Sequence, residues 1–315
     1  MLGKNIVYNI KRLLMFQLGF VSAILADKCF EEVIDFAASN QFACIELMCW
    51  PKGIAERRYA GITHIDVDAL DADYTRRYLK EKNVSISALG YYPNPLDADE
   101  EKRTFYINHL KKVISAAGLL KIPVVNTFIG RSQHQNLEQN IALFKKYWPP
   151  IIEHARKNNV KIGIENCPMF FTADEWPNGK NIAISPAIWQ QLFTIADSDF
   201  IGLNYDPSHF IWQQMDYLLP LKEFGHKLFH IHLKDAKVYP EKLNQVGIMA
   251  TPLEYHSPKL PGYGDINWAA FFAALKKSGY KGPVVIEFED KEFETSIELV
   301  TKGLIETRDY IKQFL

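Results

Sequence analysis

Short runs rich in β-branched and aromatic residues alternate eight times with longer stretches of helical period, and this alternation limits the possible folds most. Strands separated by helices run parallel, because each helix returns the chain to the starting end of the sheet. The predicted strands cover residues 16–21, 43–47, 84–89, 122–128, 160–165, 200–205, 228–232 and 283–288. Eight such units without a linker or internal repeat predict an α/β protein, specifically a single (β/α)8 TIM barrel.

The stretches between the strands place apolar residues at three- and four-residue spacing, which is typical of helices packed on a sheet. One of them, "NLEQNIALFKKYWPPIIEHARKNN", contains Pro149 and Pro150, and we expect these prolines to break or kink its helix. The longest segments predicted to be irregular follow strands two, five and seven. In a barrel these segments lie at the carboxyl ends of the strands, where active sites are built.

The chain has 315 residues, and Met15 directly precedes the first predicted strand. We therefore divide it into an N-terminal extension, residues 1–14, and a barrel over residues 15–315. The basic and then apolar opening resembles a signal peptide, but no small-residue cleavage site follows it cleanly. No apolar run approaches the about 20 residues of a membrane span, so we expect no membrane partner.

Charge and cysteine usage narrow the classes of partner. Lys and Arg number 36 against 37 Asp and Glu, and no basic block is present, so we expect no nucleic-acid partner and a small-molecule substrate instead. The four cysteines have no CxxC spacing, which predicts reduced thiols in a cytoplasmic protein. These features are compatible with a homo-oligomer.

Each of the last four predicted strands carries an acidic or imidazole side chain at its end. The four residues are Glu165, Asp206, His232 and Glu287. Asp206 precedes a proline, so an ordinary turn also explains that residue alone. In a barrel, however, neighbouring strand ends meet at one mouth, and three carboxylates do not share a dry cavity without a cation. The pattern therefore predicts a metal site.

The donor set indicates which cation this site binds. Three carboxylates and one imidazole form an oxygen-rich site that suits Mn²⁺ best, with Mg²⁺, Co²⁺ and Zn²⁺ as alternatives. Four protein ligands leave about two octahedral positions for vicinal oxygens of a substrate. A hydroxy-ketone that chelates the ion through its two adjacent oxygens fits those positions.

The segments "IENCPM", "YDPSHFIW", "HIHLKD", "LPGYGDINW" and "VVIEFED" together resemble the xylose isomerase-like TIM-barrel superfamily. The resemblance covers nearly the whole chain from Met15. It implies that Glu165, Asp206, His232 and Glu287 are the metal ligands, and that Glu165 and Glu287 also act as catalytic carboxylates. It also places His209 near the substrate or near a second metal.

Further candidates lie close to these segments. We expect Lys234 and Trp50 to contact the substrate, although a salt bridge explains Lys234 and packing explains Trp50 equally well. His64, Arg57 and Arg58 follow strand two and are expected to face solvent. His230 is expected to point toward the helices, and His256 to close over the site. These last five residues therefore receive no part in the predicted chemistry, except that His256 covers it.

The resemblance and the residues together predict a metal-dependent sugar or polyol isomerase or epimerase, in which a carboxylate removes a proton next to a carbonyl. Dehydration of an inosose, or a lyase or hydrolase reaction on an oxidised sugar, uses the same metal site. A remote alternative is a phosphodiesterase of the AP endonuclease type. That reaction needs further histidines at strands two to four and a basic groove, which the sequence lacks.

Overall fold

The computed structural model describes residues 16–53, 60–170 and 172–315. Eight parallel strands lie at its centre. They are β1 (Leu18–Val21), β2 (Cys44–Met48), β3 (Ser85–Gly90), β4 (Val124–Thr127), β5 (Lys161–Glu165), β6 (Ile201–Tyr205), β7 (Leu228–Leu233) and β10 (Val284–Ile286). Each strand begins and ends within two residues of the predicted range. The proposed extension, residues 1–14, lies outside the described residues.

The strands close into a barrel in the order β1-β10-β7-β6-β5-β4-β3-β2. Leu18 of β1 pairs with Val284 of β10, and Gly19 pairs with Cys44 of β2, so both edges of the first strand are occupied. The prediction of an α/β, single (β/α)8 TIM barrel is confirmed. Strands β5, β6, β7 and β10 are consecutive around the barrel, which places the four predicted ligands side by side.

Helices surround the sheet. They are α1 (Phe30–Ser39), α2 (Ala72–Lys82), α3 (Glu100–Leu120), α4 (Leu137–Lys157), α5 (Pro186–Ala196), α6 (Ser208–Trp212), α7 (Leu219–Glu223), α8 (Pro240–Val246), α9 (Trp268–Lys277) and α10 (Ile297–Ile311). Side-chain caps fix several of their first turns; Asp99, for example, accepts hydrogen bonds from two backbone N–H groups of α3. Within the described ranges, no helix has both the length and the apolar character needed to cross a bilayer.

The prediction of a break in α4 is wrong, because the helix continues through Pro149 and Pro150. Both prolines lie on the exposed side, where the carbonyls left without a helical donor can be hydrated. The buried face is intact: Trp148 packs on Phe144 with ring centroids 5.8 Å apart. Its indole Nε1 donates to the Ile129 carbonyl at 3.1 Å.

The segment after β7 is more regular than predicted. It contains an antiparallel hairpin of β8 (Asp235–Val238) and β9 (His256–Lys259), with α8 between them. Asp235 fixes the base of this hairpin, because its carboxylate accepts hydrogen bonds from three backbone N–H groups and from Trp268 Nε1. The strands were missed because each has four residues and its partner lies about 20 residues away in sequence.

Candidate functional site

The four predicted ligands lie together at the carboxyl end of the barrel. Glu165 is the last residue of β5, Asp206 directly follows β6, His232 lies in β7 and Glu287 directly follows β10. The first three side chains are almost fully buried, and Glu287 is 17% exposed. The strand ends therefore converge as the sequence predicts.

Three of the four form a compact cluster, since one donor atom each of Glu165, His232 and Glu287 lies within 4.8 Å of the others. Nδ1 of His232 is 3.1 Å from Oε2 of Glu287 and 3.9 Å from Oε1 of Glu165. Asp206 does not belong to this cluster directly. The Lys234 ammonium lies between them, 3.1 Å from Asp206 Oδ2 and 3.0 Å from Glu287 Oε2.

Asp206 is fixed through its backbone and through both carboxylate oxygens. Its backbone N–H and C=O are bonded by the Asn166 side chain, each at 2.8 Å, which extends the β5–β6 pairing beyond the strands. Oδ1 accepts from the Ser208 N–H at 2.8 Å. Oδ2 is buried and makes no aligned hydrogen bond within the described part of the chain, but it lies 3.1 Å from the Lys234 ammonium and 3.0 Å from His209 Nε2. A buried carboxylate oxygen needs positive charge beside it, which Lys234 and His209 supply here and which a bound metal ion would also supply.

The environments of the carboxyl groups separate their proton affinities. Burial, together with the charge of Glu287, raises the pKa of Glu165 to about 7. Burial acts on Glu287 in the same direction, but Lys234 and His232 outweigh it and hold the pKa of Glu287 at about 2. Burial likewise opposes ionisation of Asp206, whose pKa Lys234 and His209 nevertheless hold well below its usual range. At neutral pH the site therefore combines ionised carboxylates with one carboxyl that exchanges protons readily.

Lys234 is 2% exposed and contacts a third carboxylate, Glu289, at 3.2 Å. Burial lowers the pKa of Lys234, but the charges of Asp206, Glu287 and Glu289 raise it well above the usual value. Sequence reasoning missed Glu289. It lies two residues after Glu287 in "VVIEFED", so an extended backbone carries both side chains on the same face, and that spacing is the signal for it.

A cavity of about 220 Å³ opens beside the cluster. Its polar groups are Glu165, His232, Lys234, Glu287 and Glu289, and its apolar walls include Val21, Met48, Trp50, Tyr92 and Phe128. Trp50 thus lines the cavity as predicted for a substrate contact, while its ring also packs edge-on against Tyr91 with centroids 4.9 Å apart. The cavity places apolar walls opposite a charged floor, an arrangement that suits the two faces of a sugar.

His209 contacts Asp206 most closely, and it also forms a second group of possible ligand atoms with Glu165 and Cys167, within 4.8 Å. Its Nε2 lies 3.0 Å from Asp206 Oδ2 and 3.9 Å from Glu165 Oε1. Neither ring nitrogen makes an aligned hydrogen bond within the described residues. Asp206 and Cys167 raise the pKa of His209 well above its ordinary value, although burial opposes this. The imidazole is thus buried, 8% exposed, with hydrogen-bonding capacity to spare beside the site.

Two histidine predictions are wrong. His64 does not face solvent: it is 5% exposed, and its Nδ1 lies 2.8 Å from the Ser22 hydroxyl. His230 does not point toward the helices but into the barrel, where it contacts Asn204 and Ser87. The reason is that residues two apart in a strand share a face, so His230 and His232 lie on the same side.

The remaining candidates take less direct positions. His256 stacks on Trp212, with centroids 5.3 Å apart, and Trp212 in turn contacts His209 edge-on. Its Nδ1 donates to the Pro252 carbonyl at 2.6 Å. The contacts that connect His256 with the clustered donor atoms run through Trp212 and His209. Arg57 and Arg58 lie outside the described residues.

Sequence reasoning also missed Glu46, which lies inside β2 and is fully buried. Its Oε2 is 2.7 Å from His232 Nε2. The signal was present in "CIELM", since a carboxylate within an apolar strand needs a buried partner. Nothing in one sequence named that partner.

Comparison with known proteins identifies the family of this chain. The model of the xylose isomerase-like TIM barrel matches residues 34–312. The chain belongs to this family. The resemblance inferred from the sequence motifs is therefore confirmed.

Two curated relatives show how the family likeness is distributed. Uncharacterized protein YfiH of Bacillus subtilis (strain 168) is 23% identical over 299 residues, covering 87% of this chain and 93% of YfiH. An inosose dehydratase of Clostridium botulinum (strain Alaska E43 / Type E3) is 30% identical over 131 residues, covering 39% of this chain and 41% of the dehydratase. The likeness to the dehydratase thus spans less than half of either protein.

Solved structures share the fold over almost the whole chain. The IolI protein, solved with a bound zinc atom, has a TM-score of 0.71 at 18% identity and covers 95% of this chain and 99% of its own. A D-psicose 3-epimerase, solved in the presence of D-fructose, has a TM-score of 0.69 at 14% identity with the same coverage. At these identities the likeness concerns the fold.

Proposed function

We propose that this chain is a divalent-metal-dependent isomerase or epimerase of a sugar or polyol, which moves a proton at a carbon next to a carbonyl. The observation that carries the proposal is the convergence of Glu165, His232 and Glu287 on one point, within 4.8 Å, at the edge of the cavity. The buried carboxylate of Asp206, which Lys234 connects to Glu287, supports it as well. Sugar epimerases and inosose dehydratases among the similar proteins point to the same substrate class.

Glu165, Asp206, His232 and Glu287 would hold the metal. Their oxygen-rich set favours Mn²⁺, with Mg²⁺, Co²⁺ and Zn²⁺ as alternatives, and the zinc in the IolI structure agrees with a divalent ion. When bound, the metal polarises a substrate carbonyl and makes the neighbouring C–H more acidic.

The carboxylates of this chain then handle the proton. Glu165 ends β5 and Glu287 follows β10, and two strands lie between them around the barrel. They therefore approach the cavity from different directions. One carboxylate removes the proton from carbon and the other returns one, which gives epimerisation when the two act on opposite faces. The apolar walls, among them Trp50 and Phe128, limit access of water to the carbanion-like intermediate.

Dehydration of an inosose is the second candidate, and the position of Lys234 favours it. The buried ammonium lies 3.0 Å from Glu287, so a proton donor is adjacent to the proposed base. After Glu287 takes the α-proton, the C–O bond to a β-hydroxyl breaks and Lys234 protonates the departing oxygen to give water. The 30% identity to inosose dehydratases covers only part of the chain, and it supports this reaction to that extent.

The AP endonuclease alternative receives no support from the described residues. The ends of β2, β3 and β4 place Trp50, Tyr92 and Phe128 at the cavity instead of additional histidines. Aromatic walls do not ligate the further metals that phosphodiester hydrolysis by a metal cluster needs.

The test begins with the metal content of the purified protein. Metal-loaded protein is then incubated with ketoses, inososes and sugar phosphates in D₂O, and carbon-bound deuterium is followed by NMR. Deuterium beside a carbonyl is expected in at least one substrate, and its position distinguishes isomerase from epimerase. Bound metal without exchange into any substrate would contradict proton transfer.

Two substitutions sharpen this experiment. Glu287→Gln is expected to keep the fold and to lose exchange at least about 100-fold, the usual contribution of a general base. Lys234→Met, assayed at saturating metal, is expected to lower exchange less than Glu287→Gln does under the epimerase mechanism. If the enzyme is a dehydratase, Lys234→Met loses the release of water while exchange of the α-proton is still detected. Release of water therefore distinguishes the two mechanisms.

A further inference from the structure

A layer of polar side chains lies in the barrel interior around His232. It consists of Glu46, Ser87, Tyr92, Asn126, Asn204 and His230, which we call the interior polar layer. All six are buried. A barrel interior is usually filled by branched apolar side chains, so a polar layer here requires a reason.

Glu46 is the charged member of the interior polar layer, and its carboxylate is fully engaged. Oε2 accepts from Nε2 of His232 at 2.7 Å and from the Asn126 amide at 3.0 Å. Oε1 accepts from the Tyr92 hydroxyl at 2.5 Å. Three donors from three different strands or strand ends therefore fix the carboxylate in one orientation.

The contact with Glu46 determines what His232 offers to the cavity. Because Nε2 is bonded to Glu46, the other ring nitrogen, Nδ1, faces the carboxylates of Glu287 and Glu165. An imidazole that carries its proton on Nε2 has its lone pair on Nδ1. The ring is thus oriented with its metal-binding nitrogen toward the clustered carboxylates.

We propose that Glu46 is a positioning residue for the metal centre. It keeps the proton of His232 on Nε2, prevents rotation of the ring, and presents the Nδ1 lone pair to the metal. This inference rests on the metal site proposed above and assigns it a supporting carboxylate. Carboxylates that accept from the distal nitrogen of a metal-bound histidine orient the ring and increase its basicity as a ligand.

The surrounding structure favours a carboxylate at this position over an apolar residue. Gly90 leaves the space that Glu46 occupies, since a Cβ on Gly90 would lie 2.6 Å from Oε1. His230 is close, with Nδ1 3.7 Å from Glu46 Oε2, but its own hydrogen bonds go to Asn204 and Ser87. The carboxylate is therefore directed to His232.

The test compares Glu46→Gln with a matched control, Ser87→Ala. Glutamine keeps the shape of Glu46 and removes its charge. Ser87 belongs to the same interior polar layer but contacts His230 and not His232. Binding of Mn²⁺ and of Zn²⁺ to the metal-free proteins is measured by calorimetry. We expect affinity to fall about 10- to 100-fold in Glu46→Gln and to stay unchanged in Ser87→Ala.

A second measurement uses the unsubstituted protein and so does not depend on folding of a variant. Long-range ¹H–¹⁵N NMR of the Zn²⁺-loaded protein reports which nitrogen of His232 carries the proton. We expect the proton on Nε2 and the metal on Nδ1. The reverse assignment would overturn the role of Glu46.

The outcomes separate this inference from the proposed function. If the unsubstituted protein binds neither ion, the metal centre and the role of Glu46 both fail. If it binds them and Glu46→Gln binds equally well, only the role of Glu46 fails. Equal losses in Glu46→Gln and Ser87→Ala would also overturn it, because a general disturbance of the interior would then explain the result.

Discussion

Replacing Lys234 by methionine tests whether the buried ammonium neutralises the site in the metal-free protein. Lys234 is 2% exposed, and its Nζ lies 3.0–3.2 Å from the carboxylates of Asp206, Glu287 and Glu289. Methionine has a similar length but no charge. The Lys234→Met variant therefore leaves three neighbouring carboxylates without their shared counter-ion, which is unfavourable in a buried site.

The expected loss follows from the proton that replaces the missing charge. A carboxyl with an ordinary pKa near 4 takes up a proton from solution at pH 7 at a cost of about 4 kcal/mol, and at pH 5 at a cost of about 1.4 kcal/mol. The value at pH 7 agrees with the about 3–5 kcal/mol of stability that is lost when one partner of a buried ion pair is removed. We therefore expect the free energy of unfolding to fall by about 4 kcal/mol at pH 7 and by clearly less at pH 5.

Urea unfolding in the presence of a chelator, at pH 7 and pH 5, measures both values. Lys237→Met is the control, because Lys237 lies on the neighbouring hairpin, is 42% exposed and forms its ion pair with Asp265 at the surface. We expect little change in this control at either pH. A Lys234→Met protein as stable as the unsubstituted one at pH 7, or equally destabilised at both pH values, would refute the reasoning.

Two further predictions concern the hairpin that follows β7. Burial and the nearby charges of His209 and Lys234 lower the pKa of His256 to about 4. A histidine in the unfolded chain has a pKa near 6.5, so protonation favours the unfolded state as the pH falls. The free energy of unfolding therefore decreases by up to about 2 kcal/mol between pH 7 and pH 5. We expect His256→Gln to remove this part of the pH dependence. Asp235→Asn replaces one acceptor oxygen by an NH₂ group that faces Trp268 Nε1. We expect the free energy of unfolding in urea to fall by about 1–3 kcal/mol, and an unchanged free energy would contradict this.

Much of the fold and the convergence of polar side chains at the barrel end were predictable because both depend on local pattern. Strands such as "VKIGIE" and "FIGLNY" differ sharply from the amphipathic helices around them, so their ends could be located within two residues. Once the strands were known to be parallel, the convergence of Glu165, Asp206, His232 and Glu287 followed from topology alone. The assignment of these residues as metal ligands stays a prediction.

The errors arose where neighbours along the chain do not determine the result. The orientation of His230 was misjudged, since its separation from His232 by two residues indicates a shared face. The burial of His64 depends on Ser22, which lies 42 positions away in sequence. The role of Glu46 depends on His232, 186 positions away. No local pattern names such partners, although a carboxylate inside an apolar strand indicates that one exists.

The space left by Gly90 also constrains how this barrel can evolve. A side chain at position 90 would overlap Glu46 and Met48, with Cβ 2.6 Å from the carboxylate oxygen and 2.2 Å from the methionine methyl group. The methionine is flexible and can move, whereas Glu46 is held by hydrogen bonds from His232, Asn126 and Tyr92. A larger residue at position 90 fits only after Glu46 is replaced by a smaller residue. A smaller residue at position 46 in turn leaves a cavity next to position 90. The two positions are therefore coupled by epistasis, and single mutational steps away from either residue are disfavoured.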